Sequence, residues 1–136
     1  MKGLSGTWYG RHGSRLELTL RHDGTIEGTF FAPGDGDAGA FPLVGLSDPR
    51  SFEGSRSFGF VVVWNNDYVN QHSATSWSGQ YQIVNGEELL TTNWLLTRET
   101  PPDECWAATM VGSDTFRREM IGVAEGAPAA EAEPAG

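Results

Sequence analysis

Between Leu4 and Phe116 the chain repeats one plan, a run rich in Thr, Val, Phe, Trp and Tyr followed by a break of Gly, Asp, Asn or Pro. Within the runs the apolar positions recur at every second residue, as in Phe60, Val62 and Trp64, or Leu90, Thr92, Trp94 and Leu96. Period-two alternation marks strands that bury one face, and no stretch sustains the 3.6-residue period of a helix. The pattern predicts eight strands, near 5–11, 14–22, 25–32, 40–47, 57–66, 72–83, 87–98 and 105–116. Turn signals separate them, among them His12-Gly13, Asp23-Gly24, Asn85-Gly86 and Pro101-Pro102-Asp103. Asp-Gly and Asn-Gly supply the positive φ that tight hairpins need. Closely spaced strands with short turns make an all-β, up-and-down antiparallel meander, and closing it into an eight-stranded β-barrel removes the exposed edges.

The chain has 136 residues, enough for one domain that buries its own core. The barrel is expected over residues 3–117. Residues 118–136, ending in an Ala, Glu, Pro and Gly tail, offer almost nothing to bury and are expected to be disordered. Nine Lys+Arg against eighteen Asp+Glu give a net charge of −9, which argues against nucleic acid and anionic membrane surfaces as partners. No apolar run approaches the roughly 20 residues of a membrane-spanning helix. Cys105 is the single cysteine, so no internal disulfide forms. No signal peptide is visible ahead of the first strand, which leaves a cytoplasmic protein or a leader replaced by Met1 as the two expectations.

Five tryptophans in a chain of this size need an account. Any single one is most simply a core residue. Taken together, the alternation places Ser73, Thr75, Trp77, Gly79 and Tyr81 on one face of the sixth strand, and Met110, Gly112, Asp114 and Phe116 on one face of the eighth. Gly28, Phe30 and Ala32 share a face of the third. If these faces point inward, the interior is aromatic with a few hydroxyls and one carboxylate. An interior carboxylate is costly unless something pairs with it, and an apolar concavity with a few convergent polar groups is the usual form of a ligand pocket. An enzyme is the weaker reading. His12, His22 and His72 form no metal-ligand cluster and no nucleophile–base pair at a recognisable spacing, so neither catalytic nor metal-binding residues are assigned. A filled structural barrel is the remaining alternative.

Several motifs then converge. Gly6-Thr7-Trp8-Tyr9 and Gly28-Thr29-Phe30 are followed by Trp64-Asn65-Asn66-Asp67-Tyr68 and by the run from His72 to Tyr81. Asn93-Trp94-Leu95-Leu96-Thr97 and Val111-Gly112-Ser113-Asp114-Thr115-Phe116 complete the series. From about Gly3 to Phe116 this order resembles the avidin/streptavidin family, its bacterial branch in particular. The resemblance implies a barrel that binds biotin non-covalently, with biotin as ligand and no cofactor. It implies aromatic walls from Trp64, Trp77 and Trp94 with Leu96 beside them, and Trp106 as the cap of a neighbouring subunit's pocket. It further implies Ser73 at the ligand carboxylate, Thr75 at the ring sulfur, Asp114 at one ureido N–H and Ser14 at the ureido oxygen.

The family pattern also marks departures. Gly10 stands where the family has Asn, Phe30 where it has Tyr, and Ala32 where it has Ser. The loop over the ligand reads Pro33-Gly34-Asp35-Gly36-Asp37-Ala38, with backbone N–H groups at Gly34 or Gly36 as donors. The expectation is biotin binding weaker than the family norm, with a different hydrophobic or amide-bearing small ligand as the alternative. The resemblance further implies a homotetramer, with Asn93, Val111 and Ser113 as candidate contacts, and a secreted or periplasmic location.

Overall fold

The computed structural model describes residues 3–120 and forms a closed barrel of eight antiparallel strands joined in chain order. They are β1 (Gly6–Tyr9), β2 (Arg15–Leu20), β3 (Thr25–Phe31), β4 (Ala40–Ser47), β5 (Arg56–Asn65), β6 (Asn70–Val84), β7 (Glu87–Arg98) and β8 (Thr109–Arg117). The turn chemistry behaves as the sequence predicts. Asn85 and Gly86 both take positive φ between β6 and β7, which a two-residue hairpin of that twist requires. At Asp23-Gly24 the Asp23 carboxylate accepts from the Thr25 hydroxyl at 2.7 Å and from its backbone N–H at 2.9 Å. These bonds, the hydroxyl's first, hold the carboxyl below its ordinary pKa.

The eighth strand is shorter than the pattern predicts. It begins at Thr109 instead of near residue 105, and Pro102–Ala107 forms two short 3-10 turns kinked at Glu104. Two consecutive prolines withhold backbone donors from a ladder, and Ala108 N–H closes back onto Cys105 O at 3.1 Å. A further 3-10 turn, Gly36–Gly39, occupies the loop between β3 and β4. β6 begins two residues earlier than expected, at Asn70.

Inward faces fill the barrel as the alternation requires, with Trp8, Leu16, Phe30, Trp64, Trp77 and Phe116 among its largest buried side chains. Register pairs Trp77 with Trp94 and Trp94 with Gly112, so one row crosses β6, β7 and β8. Closure between β1 and β8 rests on a single ladder pair, Tyr9 with Arg117. Arg118 reinforces it. Its guanidinium lies 3.7 Å from the centroid of the Trp8 ring and donates to the carbonyls of Ser5, Thr7 and Gly3. It also pairs with Glu88 at 3.4 Å, and Glu88 accepts from the Tyr81 hydroxyl at 2.8 Å. Burial first, then the Glu88 bond and charge, raise the Tyr81 pKa. Arg118, which composition groups with the tail, is thus bound to the barrel floor, while residues 121–136 of that tail lie outside the described residues.

Candidate functional site

One end of the barrel is bounded by the connections after β1, β3, β5 and β7. Asn66 ties two of these together. Its Nδ2 donates to Ala38 O at 3.0 Å and Ala40 O at 2.9 Å, and its Oδ1 accepts from the N–H groups of Tyr68 and Val69. Four bonds from one amide fix the β3–β4 loop against the β5–β6 loop at this end. The sequence marks Asn66 only as a turn residue, because its partners lie 26 and 28 positions away.

Below this rim the predicted side chains fall into two groups. Ser14, Phe30, Trp64 and Thr75 are 0% exposed and Trp77 2%. Phe30 meets Trp64 edge to face at 5.1 Å and stacks on Trp77 at 5.4 Å, with Phe60 on Trp77 at 4.9 Å and Phe41 against Trp64 at 5.0 Å. Offset and edge-on rings at these spacings are in full contact. Trp64 Nε1 donates to Thr75 Oγ1 at 2.8 Å, so the Thr75 hydroxyl is engaged by the wall itself. Sequence reasoning did not include Phe41, although its register partner is Phe30 and its own strand alternates correctly.

The second group is less enclosed. Ala32, Ser73 and Trp94 are half-buried, and Leu96 and Asp114 border on full burial at 8% and 9% exposure. The Trp94 indole lies flat on β8 at Gly112, where an added Cβ would overlap the ring. Asp114 Oδ1 accepts from the Thr115 N–H at 2.8 Å, whereas Oδ2 is buried with no hydrogen-bond partner, as is Trp77 Nε1. A buried carboxylate oxygen without a donor carries a desolvation cost that a ligand N–H would relieve. Two predicted residues lie on the surface. Gly36 is exposed in the 3-10 turn between β3 and β4, and Trp106 is 82% exposed in the segment before β8. Met110, assigned to the inward face of β8, is exposed, since it sits next to the first residue of the strand.

The outer wall has its own relief. A groove of about 510 Å³ runs over β6, β7 and β8, lined by outward residues that include Ser76, Ser78, Asn93, Leu95, Val111 and Ser113. Among the described residues no group of three or more His, Cys, Asp or Glu is placed to hold a metal ion, and no helix is long and apolar enough to cross a membrane.

Residues 1–119 match the profile of the Avidin family. The chain is 30% identical to Afifavidin of Afifella pfennigii over 116 residues, covering 83% of this chain and 67% of that protein. It is 31% identical to Avidin of Gallus gallus over 122 residues, 85% of this chain and 77% of the relative. Fibropellin-1 of Strongylocentrotus purpuratus is 31% identical over 117 residues, but there the match spans 11% of a much longer protein. With its closed eight-stranded barrel and a match over 119 consecutive positions, the chain belongs to the avidin family.

Proposed function

We propose that this chain is a non-enzymatic, small-molecule binding protein that takes biotin or a biotin-like ligand, non-covalently, between Trp94, Leu96 and Asp114. One observation carries the reading. Asp114 Oδ2 is a buried acceptor without a donor, set in a largely apolar, aromatic-rich interior. A ligand that presents an N–H there and lays apolar surface on Trp94 and Leu96 satisfies both demands. Ser73, half-buried on the inward face of β6, offers a hydroxyl to a polar tail.

Assembly belongs to the same reading. An indole 82% exposed is an apolar liability on a lone chain, and a neighbouring copy's pocket would bury it. Leu95 and Val111 are likewise exposed along the outer groove. These features support association of copies; the homotetramer in which Trp106 closes a neighbour's site, and a secreted or periplasmic location, are taken into the proposal from the family resemblance.

Thermal melting with biotin tests the binding. A ligand that binds only the folded state raises Tm by mass action, and tryptophan emission should be quenched as the ligand covers Trp94. No shift at millimolar biotin would remove the assignment.

A further inference from the structure

We infer that the floor of the barrel, at the end bounded by the connections after β2, β4 and β6, holds a second binding site anchored by Arg56. Its ligand is a monocarboxylate on a short apolar body.

The strand rows place the site. Arg56 opens β5 on the face that continues as Phe58, Phe60, Val62 and Trp64, so it belongs to the inward row. Its register partner is Tyr81, a buried inward residue of β6. Leu20 ends the inward row of β2 after Leu16 and Leu18, and Ile83 extends that of β6. These row ends, with Ser5 and Ser51, line a concavity of about 380 Å³. A cavity of roughly 300–1,000 Å³ suits one small ligand, and this one lies near the lower bound. Along β5 the buried Phe58, Phe60 and Val62 stand between Arg56 and Trp64, so the concavity is separate from the ligand site proposed above.

Charge singles Arg56 out. The chain has nine Lys+Arg against eighteen Asp+Glu, so acidic partners are plentiful. Arg15, Arg21, Arg117 and Arg118 each pair with a glutamate. Arg56 is half-buried at the end of an apolar row and has no acidic partner among the described residues. Glu88, the acid bonded to the Tyr81 hydroxyl, is held by Arg118. A guanidinium binds a carboxylate through two parallel N–H bonds, a match of shape as well as charge.

The other lining groups complete that chemistry. Ser5 Oγ accepts from the Leu20 N–H at 2.9 Å, which leaves its own O–H to donate. Ser51 brings a second hydroxyl from the connection between β4 and β5. Leu20, Ile83 and the Tyr81 ring supply apolar surface, and Ile83 is 44% exposed although it sits on the inward row. A carboxylate with an aliphatic body uses both the cation and this wall. A bare inorganic anion uses only the cation.

NMR titration of the labelled protein with hexanoate tests the site, with hexanamide as the uncharged match and inorganic phosphate as an anion without an apolar body. Hexanoate should move the backbone amide signals of Gly54, Arg56 and Ile83 saturably at millimolar concentration, and each of the other probes should bind at least tenfold more weakly. Arg56→Gln should weaken hexanoate at least tenfold, and Arg56→Lys, which keeps the charge, should weaken it less. Biotin titration of Arg56→Gln should match the wild type, so that this site and the proposed function are judged separately. Should Arg56→Gln not fold, Ser51→Ala on the exposed loop, expected to weaken hexanoate several-fold, decides together with the wild-type probes. No movement of these signals, movement confined to Ser73 and Trp94, equal binding of the three probes, or a hexanoate affinity unmoved by both substitutions would overturn the inference.

Discussion

At the residue scale, Asp114 and Thr75 are two buried polar side chains with opposite accounts. The Thr75 hydroxyl satisfies the Trp64 indole at 2.8 Å, so it belongs to the wall. Thr75→Val keeps the shape and strands a buried N–H, which costs about 1–3 kcal/mol; chemical denaturation should show that loss. Asp114 Oδ2 has no donor to lose. Asp114→Asn replaces a buried oxygen that has no donor in the free protein, so its Tm should change little, while ligand affinity falls roughly 10–150-fold with the loss of an acceptor bond worth about 1.5–3 kcal/mol. A fall in Tm alongside unchanged affinity would make Asp114 a structural residue. Both side chains were legible in the sequence as inward-facing groups, because a strand's alternation needs only the strand. What alternation does not encode is the partner. Thr75 and Trp64 are 11 positions apart on paired strands, and their bond depends on register and indole orientation.

At the scale of elements, the strands follow from turn chemistry and period, and the loops do not. Asn85-Gly86 and Asp23-Gly24 place their hairpins because the φ demand is local. The segment before β8 departs from expectation because the Glu104 and Ala108 N–H groups close onto Pro101 O and Cys105 O in two 3-10 turns, local bonds that the apolar pattern of Cys105 to Ala108 does not encode. The rim is held by Asn66, whose amide joins two loops through four hydrogen bonds. Asn66→Ala leaves two carbonyls and two N–H groups to water. The expected result is a stability loss of about 1–3 kcal/mol and faster hydrogen exchange at Tyr68 and Val69. Unchanged exchange there would show that the loops hold each other by other means.

For the whole molecule, closure and assembly are the two issues. β1 and β8 share one ladder pair, so the barrel seam depends on the Arg118 guanidinium stacked on Trp8 and bonded to the carbonyls beneath it. Arg118→Ala removes a cation–π contact and several charge-assisted hydrogen bonds, an expected loss of about 2–3 kcal/mol. An equilibrium unfolding midpoint equal to wild type would contradict that role. Composition assigns Arg118 to an acidic tail, since its contacts with Gly3, Ser5 and Thr7 span more than 110 positions and leave no local trace. If Trp106 closes a neighbour's pocket, light scattering should report four chains, and Trp106→Ala should speed ligand release about 30–150-fold for roughly 2–3 kcal/mol of lost aromatic burial. A monomer that binds normally would contradict the shared site. The most direct test of the binding account is calorimetric titration of the wild type and of Asp114→Asn with biotin. Saturable binding of one ligand per chain, weakened at least tenfold in the variant without loss of Tm, is the result expected; no heat of binding at millimolar concentration, or equal affinity in the two proteins, would contradict it.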